Sequence, residues 1–237
     1  MNEEITHDQP RARDRKAIAG GPSGSGAIRG VVFDYGCVLS LPLDNGSVAR
    51  MARLLGIAPD RFMEAYLRPR HRYDLGEIGR QSYWNEVISP FGAPPDDAMV
   101  EGLFLEDVSG WMRVRTPMVE WARVLKESGI KLAILSNMPP DHIDYIGVRT
   151  DWFSLFDVKV FSAAVRLAKP DPAIYRHCLS ELALPAGECL FIDDLAPNVE
   201  AARREGLGAV LFESEEKLAA EIGRFRGLPS FPIGDPR

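Results

Sequence analysis

Cysteine, long apolar runs and surplus positive charge are all scarce in this chain. Its 237 residues include three cysteines, Cys37, Cys178 and Cys189, an odd number with no Cys-x-x-Cys pair. That count excludes a disulfide framework and a zinc knuckle, and it fits a reducing, cytoplasmic setting. No apolar run approaches the roughly 18 residues a membrane-spanning helix needs, so no membrane partner is expected. The opening MNEEITHDQPRARDRK has no apolar stretch and is not read as a secretory signal. The 28 Lys and Arg are outnumbered by 34 Asp and Glu, a formal net charge of −6. A nucleic-acid-binding body normally carries a basic surplus, so nucleic acid is not an expected partner.

What is present is enough apolar sequence, 46% of residues, for one sizeable core and a small satellite. Residues 1–27 run from a charged segment into the Gly/Ser-rich AGGPSGSG and read as a disordered tail. Residues 227–237 (GLPSFPIGDPR) read as a flexible C-terminal tail. Between the tails, strand and helix signals alternate. Ile28–Asp34, Ile130–Leu135, Val158–Phe161, Cys189–Ile192 and Gly208–Phe212 are short apolar runs that predict buried strands. Met118, Trp121, Ala122 and Leu125 follow helical spacing and predict a helix over Pro117–Ser128 that Gly129 ends. Further helices are predicted over Pro172–Ala183, Ala196–Glu205 and Ser214–Phe225. The pattern predicts an α/β fold, a doubly wound, Rossmann-like parallel sheet covered by helices on both faces.

Residues 41–115 break that rhythm with helical patterns at Ser47–Leu55, Asp60–Leu67, Gln81–Ile88 and Asp96–Phe104 and no clear strand. They predict a small inserted α-helical domain. The α/β core would then comprise 28–40 and 116–226.

In an open parallel sheet, ligands bind beyond the carboxyl ends of the strands. The residues that follow each predicted strand are therefore informative. They are Asp34-Tyr35-Gly36, Ser136-Asn137, Lys169-Pro170-Asp171-Pro172 after a loop, and Asp193-Asp194. Each alone reads as a turn, a helix cap or, for Lys169, a solvated surface residue. Together they bring carboxylates, a hydroxyl and an amine to one rim. Carboxylate oxygens with water suit Mg²⁺. With the Lys and Ser they would clamp a phosphoryl group, which an Asp could attack to form an aspartyl-phosphate.

VVFDYGCVL, ILSN, LAKPDPAIY and LFIDDLAPNVEAA occur in that order. In these motifs the chain resembles the haloacid dehalogenase-like hydrolase superfamily over residues 28–215. The likeness is closest to sugar-1-phosphate phosphatases and the N-terminal phosphatase domain of soluble epoxide hydrolases. The resemblance implies a Mg²⁺-dependent phosphatase for a small phosphorylated metabolite, working as a monomer or homodimer. By the same resemblance Asp34 is the nucleophile and a metal ligand, and the Gly36 backbone carbonyl is a second ligand. Ser136 and Asn137 bind the phosphoryl group, and Lys169 offsets its charge. Asp194 holds the metal, with Asp193 beside it as a ligand or behind one. Asn198 stands where many relatives carry another Asp, and residues 41–115 form a cap that selects substrate.

One departure stands out. Most phosphatases of the superfamily carry a general-acid Asp two residues after the nucleophile, where this chain has Gly36. Loss of such help is typically worth about 10²–10⁴ in rate. It favours leaving groups that need little protonation, or a catalytically weak binding or regulatory module. Cys37, Asp44 and His71 are possible substitutes as proton donors. Dehalogenation and phosphomutase chemistry are lesser alternatives. The first is disfavoured because relatives that dehalogenate carry Tyr two positions after the nucleophile, whereas Tyr35 stands one position on.

Outside the motifs, Arg68-Pro69-Arg70-His71-Arg72 reads either as an anion-recognition element or, preferably, as a solvated helix end. Tyr83 and Trp84 are expected to pack the insert, and Trp111, Trp121 and Trp152 the core or its junction. His142 and His177 are expected on helix surfaces.

Overall fold

The strands are short because each crosses a two-sided core. β1 (Gly30–Phe33), β2 (Lys131–Ser136), β3 (Val158–Phe161), β4 (Cys189–Asp193) and β5 (Gly208–Leu211) form one parallel sheet in the order β3-β2-β1-β4-β5. The computed structural model describes residues 26–232. The predicted residues 1–25 and 233–237 of the tails lie outside that range. Successive β1 side chains alternate faces. Val31 and Phe33 join one core with Trp121, while Val32 joins the other with Leu135 and Phe191. Burial on both faces explains why β1 and the body of β4 read as unbroken apolar runs, whereas the edge strand β3 keeps Lys159 exposed.

Helices α6 (Thr116–Glu127), α7 (Pro140–Gly147), α8 (Ser162–Val165), α9 (Pro172–Leu182), α10 (Ala196–Arg204) and α11 (Glu215–Ile222) belong to the sheet region. Proline in the first turn starts four of them, α6, α7, α9 and α10, where a missing N–H costs no helical hydrogen bond. α7 and α8 were not anticipated: α8 has only four residues, and the buried face of α7 carries the polar His142 beside Ile146.

Between β1 and β2 the chain forms α1 (Asn45–Leu54), α2 (Pro59–Leu67), α3 (Arg70–Asp74), α4 (Arg80–Ile88) and α5 (Asp97–Trp111). Asp44 caps α1 through Ser47 N–H (2.7 Å), and Asp96 caps α5 through Met99 N–H (2.9 Å). The insert has its own aromatic core, in which the rings of Tyr73 and Tyr83 stack at 4.3 Å. Where the insert leaves and rejoins the sheet region, an antiparallel bridge joins Ser40 to Val114. Farther along, Tyr73 Oη donates to Asp141 on α7 (3.0 Å), and Arg166 donates to the Gly76 carbonyl (2.7 Å).

Two expectations need correction. Residues 227–232, expected within a flexible tail, pack on the core. Phe231 is buried 5.4 Å from the Trp121 ring, whose Nε1 donates to the Pro229 carbonyl (3.3 Å). Gly227 makes this return possible with φ +91°, a conformation that side chains resist. His142, expected on a helix surface, is 1% exposed. Its α7 face turns toward α5 of the insert, a long-range contact that helical spacing within α7 could not reveal.

Candidate active site

The strand order reverses between β1 and β4, so a crevice opens beyond their carboxyl ends. Asp34 ends β1 and Asp193-Asp194 ends β4. Lys169, on the loop before α9, reaches between them. Its Nζ lies 2.8 Å from Asp34 Oδ1 and 2.7 Å from Asp193 Oδ2. Asp34 Oδ1 also accepts from Tyr35 N–H (2.6 Å). Both bonds fall on Oδ1, which leaves Oδ2 without a protein partner among the described residues. One carboxylate oxygen from each of Asp34, Asp193 and Asp194 lies within 4.8 Å of the others.

The two adjacent β4 aspartates play different parts. Asp193 is wholly buried, and both of its oxygens are occupied. Oδ1 accepts from Leu195 N–H (2.8 Å) and Asn198 Nδ2 (3.0 Å), and Oδ2 accepts from Lys169 Nζ and Asn198 Nδ2 (3.1 Å). Asp194 lines the cavity instead. The donor set fits a hard divalent cation. Three carboxylates face one ammonium, leaving two negative charges uncompensated in a buried place. Burial is the main reason the Asp34 carboxyl is pushed up to about 7. Lys169 pulls it down and Asp193 adds to the rise. Asp194 is raised by burial and by Asp193. Burial works against the Lys169 ammonium, but Asp34 and Asp193 outweigh it and hold its pKa above the ordinary value.

A cavity of about 310 Å³ lies over this group, and Asp34, Gly36, Ser136, Asn137, Lys169 and Asp194 all line it. Six of the seven sequence-predicted site residues thus meet there, with Asp193 behind them. The Asn137 side chain is engaged otherwise than expected. Its Nδ2 donates to the Lys169 carbonyl and its Oδ1 accepts from Lys169 N–H, both at 2.9 Å. It therefore pins the loop that presents the lysine.

The possible substitutes for the missing acid fare unevenly. Cys37 lines the cavity, but burial and the neighbouring Asp194 push its thiol up to about 12. Asp44 is the α1 cap and pairs with Arg113. His71 is exposed and lies outside the cavity lining. Gly36 itself has φ −62° and ψ 135°, angles open to any residue.

A second buried polar cluster was missed by sequence reasoning. Asp107 of α5 is fully buried. It accepts from Tyr66 Oη (2.7 Å) and pairs with His142 Nε2 (3.1 Å) and Arg70 Nη1 (3.5 Å). Arg70 also holds Asp74 (2.8 Å) and bonds Tyr66 Oη. Burial works against the Asp107 carboxylate, but His142, Arg70 and Tyr66 outweigh it and hold its pKa below the ordinary value. Arg70 is therefore no solvated helix end, although Arg68 and Arg72 are exposed. The available signal was the helical spacing that sets Asp107 among Val100, Leu103, Phe104 and Val108 on the apolar face of α5.

A family model of haloacid dehalogenase-like hydrolases matches residues 41–206. Among curated proteins, the chain is 27% identical over 220 residues to bifunctional epoxide hydrolase 2 of Sus scrofa, covering 85% of this chain and 39% of that protein. This chain thus matches well under half the length of that relative. It is 28% identical over 137 residues to a sesquiterpene phosphatase of Aspergillus oryzae, covering 57% of this chain and 68% of that protein. Among solved structures, one of a haloacid dehalogenase family enzyme from Bacteroides thetaiotaomicron, in complex with magnesium and inorganic phosphate, superposes with a TM-score of 0.62. Its identity is 19%, and the match covers 78% of this chain and 93% of that one. At that identity the likeness is one of fold.

Proposed function

This chain belongs to the haloacid dehalogenase-like hydrolase family, and from that premise we propose that it is a Mg²⁺-dependent phosphatase of small phosphomonoesters. One observation carries the reading. A carboxylate with a free oxygen, Asp34, shares one cavity with Lys169 and Asp194 and sits among uncompensated negative charge. The phosphatase name of one relative and the magnesium and phosphate of one structural neighbour support it.

In the proposed reaction Asp34 Oδ2 attacks phosphorus, and the bond to the leaving oxygen breaks as an aspartyl-phosphate forms, the leaving oxygen taking its proton from water because Gly36 has none to give. Water then attacks the same phosphorus, the bond to Asp34 breaks, and phosphate departs. Lys169 holds Asp34 Oδ1 in place and offsets charge on the phosphoryl oxygens. Ser136 and the Asn137 backbone face those oxygens, and the Asn137 side chain fixes the lysine loop. Asp34, Asp194 and the Gly36 carbonyl would hold the metal, while Asp193 orients Lys169 and Asn198. A bound Mg²⁺ would neutralise the carboxylates and the developing phosphoryl charge. The helical insert, residues 41–115, serves as a cap that shields the site from bulk water.

Gly36 favours a second reading, a binding or regulatory module that turns over slowly or not at all. A screen of acetyl phosphate, an aryl phosphate and small phosphorylated metabolites, with Mg²⁺ and with EDTA, separates the two. Phosphate release that needs Mg²⁺ is expected. No release from any of them by folded, Mg²⁺-loaded protein would leave the module reading. Mg²⁺ should also raise the melting temperature of the wild type but not of Asp194→Asn, a readout independent of turnover.

A further inference from the structure

The cavity has two unlike ends. At one lie Asp34, Ser136, Lys169 and Asp194. Most of the other polar side chains of the wall are engaged with protein, whereas Arg70 Nη2 and Asp74 Oδ2 have no partner among the described residues. Asn137 binds the Lys169 backbone and Asn198 binds Asp193. Arg70 binds Asp74, and Tyr66 and His142 Nε2 bind Asp107. Trp111 Nε1 is directed at Tyr66 Oη (3.4 Å). His142 Nδ1 is the one side-chain atom of this wall that is buried with no partner among the described residues.

Apart from Tyr35, whose Oη donates to the Trp111 carbonyl (3.0 Å), and Cys37, the rest of the lining is apolar. Trp111, Met138 and Ile146 face the cavity, and a Cβ placed on residue 36 would stand 3.5 Å from Trp111 Cζ3. The indole therefore reaches the loop that follows the reacting carboxylate, so the apolar wall begins where the first atoms of a leaving group would lie. The lining also includes Leu67 at the end of α2 and Leu195 ahead of α10, one from the insert and one from the sheet region. They are 54% and 55% exposed, among the most solvent-open large apolar side chains of the described residues. Two exposed leucines continuous with an apolar cavity are a cost in water unless something apolar covers them.

We infer that the organic part of the substrate is apolar: a phosphomonoester of a hydrocarbon-like alcohol, seated against Trp111, Met138 and Ile146 and leaving the cavity between Leu67 and Leu195. The inference rests on the phosphatase reading and narrows it away from sugar phosphates. A sugar would bring several hydroxyls to a wall whose free polar side-chain atoms are few, Arg70 Nη2, Asp74 Oδ2 and His142 Nδ1 among them, and each buried hydroxyl left unpaired lowers affinity roughly tenfold. A hydrocarbon chain meets no such penalty, and each methylene it buries adds to binding.

Steady-state rates on n-alkyl phosphates from ethyl to hexyl test this, because the basicity of the leaving alcohol barely changes along the series. We expect kcat/KM to rise up to about fourfold per methylene, the equivalent of about 0.8 kcal/mol. Glucose 1-phosphate and glucose 6-phosphate should fall below butyl phosphate. Leu67→Asp and Leu195→Asp, both at exposed positions, should each cut the hexyl-to-ethyl ratio about tenfold. A flat series, or sugar phosphates preferred over hexyl phosphate, overturns the inference. Binding of ethyl and hexyl phosphonate to the Mg²⁺-loaded protein, measured by calorimetry, keeps the two readings apart. Tighter hexyl binding without turnover of any ester sustains the apolar seat and sinks the phosphatase reading. Turnover of acetyl phosphate with equal phosphonate affinities does the reverse.

Discussion

Two buried polar clusters face the same cavity, and they are built on opposite principles. Around Asp107, the carboxylate is surrounded by donors from Tyr66, Arg70 and His142. At the strand ends, Lys169 is shared by Asp34 and Asp193, while Asp194 faces the cavity and Asp34 keeps an oxygen free. The pKa directions record the contrast, with Asp107 held below its ordinary value and Asp34 pushed up to about 7. A satisfied buried carboxylate joins elements, here α5 of the insert to α7. An unsatisfied one is poised for a ligand. Burial alone does not separate a structural cluster from a reactive one; the count of unmet acceptors does.

Substitutions can break that comparison, beginning with the largest effect. Asp34→Asn should lower kcat by at least about 10⁴-fold while phosphonate binding persists, read by phosphate release and calorimetry. Lys169→Met should lower kcat/KM by about 10³-fold and unfolding free energy by about 3–5 kcal/mol at pH 7, because it strands buried carboxylates. Urea titration and steady-state kinetics on one preparation read both losses. Asp107→Asn should show the other pattern, a stability loss of about 3 kcal/mol with kcat within about tenfold of wild type. Its pH dependence follows from the depressed folded pKa. The stability that the Asp107 carboxylate contributes is complete above its ordinary value of 3.8 and is lost as pH falls through the folded value. Urea midpoints of wild type and variant should therefore converge below about pH 4, and a constant gap would refute the assignment.

The smallest effect concerns Gly36. Its backbone angles and the 3.5 Å clearance to Trp111 admit a side chain. Gly36→Asp should raise turnover of alkyl phosphates at least about tenfold more than that of an aryl phosphate, whose leaving group needs no proton. Equal effects on the two would show that proton transfer is not what position 36 withholds.

The sheet was legible because its strands are buried on both faces. Val31-Val32-Phe33 and Leu190-Phe191-Ile192 are apolar throughout, and β2 is so from Leu132 to Leu135, leaving little room for another period. The rim residues were legible for a related reason, since whatever ends such a strand lies at the crevice. α3 and α8 were not, being too short to show a periodicity, nor was α7, whose buried face carries the polar His142. The division of labour between Asp193 and Asp194 was not either, because adjacent residues at a strand end diverge only once neighbouring loops supply donors.

The amino-acid order by itself determined the α/β alternation, the helical insert after β1 and the types of chemical group beyond the strands, all of which depend on local apolar spacing. Only the tertiary structure decided which oxygens are occupied, that His142 turns inward to Asp107, and that an apolar wall stands over Asp34. Those facts depend on contacts between segments far apart in the chain, such as Asp107 and His142, 35 positions apart. Local spacing carries no record of distances in space.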